Sequence, residues 1–244
     1  MYLCKQIMDF RIVHIEETDS TNRWLKENGE GTMVIVADYQ TAGKGCGTNA
    51  WESERGKNLT FSMLIHPDGI LANDQFHITE VVSVAMCKTL QSYIYNKVEI
   101  KWPNDIYVGD KKICGILIEN RLQGQTIRDC IIGIGLNVNQ TEFKSDAPNP
   151  VSLRQLTGKE TDINELMTAF LECFDRELNS KTTCFTYREM LYKKGKDSLY
   201  KSKTTCFTAR LMDVLPDGRL LLVDKEGQER TYAFKEVQFI VDSL

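Results

Sequence analysis

Between residues 98 and 138 four apolar, strand-like runs (98–101, 106–108, 113–119 and 128–138) follow one another with only short polar breaks. The breaks constrain the chain more than the runs do. Pro103 fixes the backbone, and Asn104 and Asp105 favour a turn. Gly109-Asp110-Lys111 is a hairpin-type connection into an alternating apolar strand. This geometry sets Asp105 at the end of one strand and Lys112 at the start of the next, facing a common space. A cation and a carboxylate held together on rigid elements suit chemistry on a phosphorylated or carboxylated substrate. Taken alone, the same residues also read as a surface hairpin with a solvated charge pair, because such pairs are common and weak.

The remaining periodicities extend the sheet. Residues 11–16 alternate like a strand, and Thr18, Asp19 and Ser20 offer oxygens to cap a short helix over 22–28, which Gly29 stops. Residues 32–37 are apolar enough for a buried strand. A loop at 40–57, rich in Gly, Thr, Asn and Ser, leads to a strand at 58–65. Ile78, Val81, Val82, Ala85 and Leu90 recur at helical spacing within 74–95, and two further helices fit 151–156 and 163–178, with Gly158 between them. After Gly195 only short strand-like runs remain (204–211, 219–223, 230–234), punctuated by Pro216-Asp217-Gly218 and Glu226-Gly227. Strands at that spacing predict a small β-barrel and a boundary near 190–198. The expected organisation is therefore a domain at 1–193 and a small one at 194–244.

Composition excludes several classes. The 244 residues are 42% hydrophobic and 26% charged, which is globular. With a net charge of −4 and no Lys/Arg run longer than two residues, the chain lacks the basic stripe of a sequence-independent nucleic-acid binder. Eight scattered cysteines without a C-x-x-C pair, and histidines at 14, 66 and 77, give no metal-ligand spacing. The cysteines read as small buried hydrophobes, Cys4 among them, and free-thiol usage fits a reducing cytoplasm. No run approaches the roughly 18 apolar residues of a membrane span.

Four polar segments fall at strand ends or strand-to-helix turns. Ser20 stands at a helix N-terminus beside free N–H groups, a place for a polar or anionic ligand. Gly43, Gly45 and Gly47 can present successive N–H groups as a nest for phosphate or carboxylate, with Lys44 adding a point charge. This loop matches neither a P-loop nor a dinucleotide fingerprint, and by itself reads equally as a plain loop. Before Trp51 it has no apolar anchor, so residues 43–50 are expected to order only over a ligand. The third segment is the Asp105/Lys112 hairpin. In the fourth, Gly133 and Gly135 in an Ile-rich strand point to something packed on bare backbone, whether a ligand or tight helix-on-sheet packing. Trp51 could stack on a base or cap the core.

Together the segments D-S-T-N, Q-T-A-G-K-G, W-E-S, K-W-P-N-D-I-Y, K-K-I-C-G-I-L-I-E and G-I-G-L-N-V-N, in this order over 19–139, resemble the biotin–protein ligases, the biotin–[acetyl-CoA-carboxylase] ligases. The resemblance implies an α+β fold: a mixed β-sheet with flanking helices, like the class II synthetase and biotin ligase catalytic domain, followed by a small Src-homology-3-like β-barrel. It implies that ATP and biotin, with Mg2+, give biotinyl-5′-AMP, and that a lysine of biotin carboxyl carrier protein then takes the acyl group. No metal ligand is identified in the protein itself. Lys112 is implied as the cation bridging carboxylate and α-phosphate, and Asp105 as the group orienting or deprotonating the incoming lysine.

By the same resemblance Ser20, Thr21, Asn22 and Gln40 hold the ureido ring, and Gly43, Lys44, Gly45 and Cys46 close over biotin and the adenylate. Trp51 sits near the adenine, while Gly115, Gly133, Gly135 and Asn137 line the floor, with Asn139 on the nucleotide side. Lys101 and Asn104 hold the Asp105 turn beside the nucleotide. Where many relatives read G-R-G-R-R-G-R, this loop has one cation and Cys46, which predicts weaker retention of the adenylate. The sequence starts at the catalytic strand, so the expectation is a monofunctional form without a winged helix, with no specific DNA partner, no membrane partner, and a monomeric or homodimeric state. The rival readings are a lipoate–protein ligase-type acyl-adenylate transferase and a non-catalytic biotin or nucleotide sensor.

Overall fold

The structure is a computed structural model that describes residues 8–47, 49–144 and 149–240. Cys4 and Thr48 lie outside the described residues. A seven-stranded mixed sheet forms from β1 (Arg11–Thr18), β2 (Met33–Gln40), β3 (Leu59–Ile65), β4 (Val98–Lys101), β5 (Asp105–Val108), β6 (Lys111–Gln123) and β7 (Thr126–Leu136). The spatial order is β1-β2-β3-β7-β6-β5-β4. Only β1 and β2 run parallel, joined through α1 (Thr21–Asn28). The other pairs are antiparallel ladders; from β4 to β7 they follow from short connections between consecutive strands.

Alternation gives the sheet two different faces. Phe61, Ile134, Ile116, Ile106 and Ile100 point to one side and are buried. There they meet α2 (Phe76–Gln91), α4 (Ile163–Leu178) and α5 (Thr183–Glu189), with Phe61 and Phe170 in edge contact at 5.6 Å. The residues between them are small or polar and face the opposite side. There α1 covers β2, β3 and the adjoining part of β7 through a cluster of Leu25, Met33, Ile35, Leu64 and Ile131. The uncovered remainder is where a ligand can reach the sheet.

Helix boundaries follow local chemistry. The Asp162 carboxylate accepts from the Asn164 and Glu165 amides and opens α4, whose span matches the periodicity. Ser152 and Gln155 form a capping box that opens α3 (Leu153–Thr157), and Gly158 at φ +73° closes it. The 74–95 expectation is too long. A 3-10 turn precedes α2, and after Gln91 the chain tightens into i→i+3 bonds at Ser92 and Tyr93. α5 was not expected, since its Thr and aromatic content disfavours helix. It is held by Tyr187, fully buried, whose hydroxyl donates to Pro103 O at 2.7 Å.

The tail forms a second, antiparallel sheet ordered β11-β10-β9-β8-β12. Its strands are β8 (Asp197–Ser202), β9 (Cys206–Val214), β10 (Leu220–Asp224), β11 (Glu229–Tyr232) and β12 (Val237–Phe239). β8 and β12 add to the three expected runs. It packs on the large sheet beside the 102–105 turn: the Trp102 indole N–H donates to Gly218 O (2.9 Å), and its ring meets Phe234 edge-on. Cys87, Cys114, Cys130 and Cys173 are buried as read, whereas Cys46 and Cys184 are half-buried and Cys206 is exposed. Among the described residues no helix is long and apolar enough to cross a membrane.

Candidate active site

Five residues on five successive strands, Thr60, Gly135, Gly115, Asp105 and Lys101, are direct cross-strand neighbours. All of this row but the buried Thr60 forms the floor of a cleft of about 650 Å³ on the open face of the sheet. Lys112 joins it through an irregularity. Asp105 pairs with Gly115 and Ile106 with Cys114, but the register then slips so that Tyr107 faces Lys112. In a regular ladder, residues 112 and 115 would point to opposite faces. The extra residue turns Lys112 onto the cleft side, where its Nζ lies 2.6 Å from Asp105 Oδ1.

The Asp105 turn is fixed from several directions. Asn104 Nδ2 donates to Ile116 O (2.6 Å), and Trp102 is anchored to the small sheet. Lys101 Nζ reaches the Tyr107 hydroxyl at 3.0 Å and lies 4.8 Å from that ring's centre. Burial lowers the Lys101 pKa; attraction to Asp105 opposes the shift, and Lys112 and Lys193 add to it. Burial likewise raises the Tyr107 hydroxyl, reinforced by Asp105 and Asp110, so it remains a neutral donor.

The two glycines of β7 each make room for a specific group. A Cβ at Gly135 would overlap the Trp51 indole, and one at Gly133 would overlap the Asn22 amide. Trp51 therefore lies across the Gly135–Gly115 floor, half-buried, with Lys112 Nζ 5.9 Å from its ring. Its buried indole N–H has no hydrogen-bond partner among the described residues.

The described part of the glycine loop is tied together by its own backbone bonds. Trp51 N donates to Gly43 O (2.9 Å), Gly45 N to Asn49 O (2.8 Å), and Lys44 bridges to Ala50. The expected nest is not formed, because the Gly45 amide is already used and, of the three glycines, only Gly47 takes positive φ. Trp51 supplies the anchor that the residues before it lack.

At the far end of the cleft a polar cluster is tied together. Gln40 Oε1 accepts from the Thr21 amide (2.8 Å) and hydroxyl (3.0 Å). The Ser62 hydroxyl is 2.7 Å from Thr21 Oγ1 and 2.6 Å from Asn22 Oδ1. Asn22 Nδ2 donates to Glu119 Oε2 (2.8 Å), and Lys26 donates to the other oxygen of that carboxylate (2.6 Å). Burial pushes the Glu119 pKa up, but the bonds from Lys26 and Asn22 outweigh it and hold the group ionised. Ser20 occupies the N-cap position of α1 without a side-chain capping bond; Gln40 reaches the first helical amide instead.

The cleft lining brings together Thr21, Asn22, Gln40, Lys44, Gly45, Cys46, Trp51, Lys101, Asn104, Asp105, Lys112, Gly115, Gly133 and Gly135. Ser20 and Gly43 lie just behind it. Asn137 and Asn139, expected at the floor and the nucleotide side, do not line it. Asn137 Nδ2 donates to Val151 O (3.1 Å), and Asn139 pairs through both side-chain ends with the Thr161 backbone. They pin the segments that follow β7.

Four contributors were missed. Ser62 had a faint signal, since Asn58, Thr60 and Ser62 alternate with Leu59, Phe61 and Met63. Glu119 ends the apolar run of β6. Phe234 and Lys235 come from the turn between β11 and β12, which no local pattern links to the cleft. Lys235 takes φ +71° and places its Nζ beside Gly47. Among the described residues the lining then holds four lysines (44, 101, 112, 235) against one aspartate, a positive focus on a chain of net charge −4.

Comparison with known proteins follows the same outline. The profile of the Biotin/lipoate A/B protein ligase family matches residues 14–137. The Bifunctional ligase/repressor BirA of Bacillus spizizenii is 32% identical over 232 residues, covering 90% of this chain and 70% of that protein. The Biotin--[acetyl-CoA-carboxylase] ligase of Paracoccus denitrificans is 28% identical over 170 residues, covering 66% and 70%. The solved structure of the biotin protein ligase from Aquifex aeolicus in complex with biotin and ATP matches with a TM-score of 0.80 at 26% identity, over 95% of this chain and 99% of that one.

Proposed function

Because this chain belongs to the Biotin/lipoate A/B protein ligase family, we propose that it is an ATP-dependent, AMP-forming biotin–[acetyl-CoA-carboxylase] ligase. In this reading biotin is activated as biotinyl-5′-AMP and passed to a lysine of biotin carboxyl carrier protein in the cytoplasm. Residues 1–193 are the catalytic domain and 194–244 the small barrel, which also lends Phe234 and Lys235 to the cleft.

The observation that carries the reading is the Lys112–Asp105 pair at the end of a glycine floor in a lysine-lined cleft. In the first step a biotin carboxylate oxygen attacks the α-phosphorus of ATP, the bond to the bridging oxygen breaks, and pyrophosphate leaves. Two anions must meet, so fixed positive charge lowers the barrier most where water is excluded. Lys112 exchanges Asp105 for the incoming carboxylate and α-phosphate. That exchange frees an Asp105 oxygen for the second step. The acceptor lysine then gives up a proton to Asp105, its nitrogen attacks the acyl carbon, and the bond to the phosphate oxygen breaks to release AMP. Lys44 and Lys235 extend the positive field along the polyphosphate.

Trp51 covers the bare floor at Gly115 and Gly135 and offers to the adenylate an N–H that no described residue engages. The polar end built from Thr21, Asn22 and Gln40 suits a ureido ring, which hydrogen-bonds, better than the dithiolane of lipoate, which does not. Among the described residues no three His, Cys, Asp or Glu side chains gather. Magnesium would enter with ATP, as the counter-ion of its phosphates.

The test is isotope exchange between pyrophosphate and ATP with biotin, with lipoate and with neither. Exchange with biotin alone supports the reading. Exchange with lipoate would place the chain in the other branch of the family, and none at all would leave a binding module.

A further inference from the structure

The polar end of the cleft holds two carboxamides, and each is pinned in one orientation by a group that cannot reverse its role. Gln40 Oε1 receives the backbone N–H of Thr21 at 2.8 Å. A backbone amide only donates, so turning the Gln40 amide over would set two donors against each other. Its Nε2 is therefore the atom left free of that bond, beside Gly43 of the loop, and Gln40 itself lines the cleft. Asn22 is pinned the opposite way. Its Nδ2 meets the Glu119 carboxylate at 2.8 Å, and an ionised carboxylate only accepts. Turning Asn22 over would bring Oδ1 against a negative charge. Asn22 Oδ1 thus stays on the cleft side above Gly133, with Ser62 donating to it at 2.6 Å and a second lone pair to spare.

A pinned donor and a pinned acceptor at one end of a cleft match a particular ligand group, a carbonyl flanked by N–H. We propose that Glu119, held by Lys26, is the positioning residue that sets the polarity of ureido recognition. It fixes Asn22 as an acceptor for a ureido N–H, opposite Gln40 as the donor to the ureido carbonyl. Glu119 does not touch the ligand. Its second oxygen is occupied by Lys26 at 2.6 Å, and that pair borders a separate hollow outside the main cleft. The hollow is lined by Asn22, Arg23, Lys26, Glu27, Lys44 and Glu119, so Asn22 is the wall between the clamp and the ligand. The device also explains Gly133: any side chain there would displace the Asn22 amide.

This inference rests on the biotin ligase reading, and its test separates the two. The parent enzyme is assayed first for biotin-dependent exchange; absence of that activity removes the functional reading itself. Glu119→Gln is isosteric but lets residue 119 donate, so only the longer bond from Asn22 Nδ2 to Leu117 O (3.5 Å) still opposes turning the amide over. The expected result is a KM for biotin raised on the order of tenfold, about the effect of one buried hydrogen bond, with the KM for ATP unchanged. Cyclic carbamate analogues of biotin, in which one ureido N–H is replaced by a ring oxygen, supply the second readout. The parent should reject the isomer lacking the N–H that faces Asn22, because the acceptor is then left unpaired. Glu119→Gln should lose most of that preference, an effect that general loosening of the fold does not produce. Lys26→Met leaves Glu119 in place but unclamped, and should move biotin KM and analogue preference the same way to a smaller extent; it decides the question if Glu119→Gln does not fold. Equal changes in both KM values, or an unaltered preference between biotin and the carbamates in a folded variant, would overturn the proposal.

Discussion

Gly133→Ala probes the packing on which the polar end of the cleft depends. The added methyl overlaps the Asn22 amide, which is 5% exposed and cannot retreat without leaving its partners. Displacing it forfeits the neutral bond from Ser62, worth about 1 kcal/mol, and the charge-assisted bond to Glu119, worth about 1.5–3 kcal/mol. Glu119 is half-exposed, so the low end of that range applies. Alanine in an extended strand returns about 0.4–1 kcal/mol by restricting the unfolded chain. The net loss is then about 1.5–2.5 kcal/mol, or on the order of 3–10 °C in Tm for a chain of this size. A double-mutant cycle with Asn22→Ala, read by urea denaturation, isolates the cause. In the Asn22→Ala background the methyl enters vacated space, so Gly133→Ala should be neutral or mildly stabilising. The coupling should reach about 2 kcal/mol. Additivity within about 0.5 kcal/mol would refute the claim that Gly133 exists to seat Asn22.

Three further outcomes are expected. Lys112→Ala should fold normally, since its ion pair is partly exposed, yet lose on the order of 10²–10³ in the rate of adenylate formation; a variant within about tenfold of the parent contradicts its assigned role. Lys235→Gly relieves a left-handed backbone at φ +71°, so Tm should hold or rise while the KM for ATP, but not for biotin, increases about three- to tenfold; equal KM values would remove Lys235 from the site. Lys101 has a folded pKa lowered from the usual 10.5 by burial, so the unfolded chain binds more protons and its protonation favours unfolding. That penalty is full below the folded pKa and fades as pH rises through it toward 10.5. Lys101→Met should therefore gain most over the parent near neutral pH and progressively less toward pH 10.5, and a pH-independent difference in urea midpoints would show that the residue is not held against its charge.

Much of the site was legible because its residues are local in sequence. The turn at 103–105, the hairpin at 109–111 and the Gly133-Ile134-Gly135 alternation each encode geometry within a few residues. The glycines were read as a bare-backbone contact, and the structure shows what occupies it: Asn22 and Trp51. What escaped depends on pairing between distant segments. The slip between β5 and β6 that brings Lys112 to the floor leaves no mark on periodicity. Ser62 gains a role only when β3 pairs with β7 beneath α1. Lys235 enters through the packing of Trp102 on Gly218 and Phe234, a tertiary contact between two sheets. α5 forms because Tyr187 is buried against the 103 turn, which overrides a poor helix composition. Asn137 and Asn139 show the converse, since a motif residue can support the walls without entering the cleft.

The central claim is that the Lys112–Asp105 pair drives transfer of biotin to a protein lysine. It is tested most directly by incubating the enzyme with biotin, MgATP and an unmodified biotin carboxyl carrier domain, followed by intact mass and peptide mapping. One biotinyl group on one carrier lysine is expected, dependent on both ATP and biotin, and lost in Lys112→Ala. Asp105→Asn should form the adenylate but transfer it slowly. Modification in the absence of ATP, none in its presence, or full transfer by the Lys112 variant would contradict it.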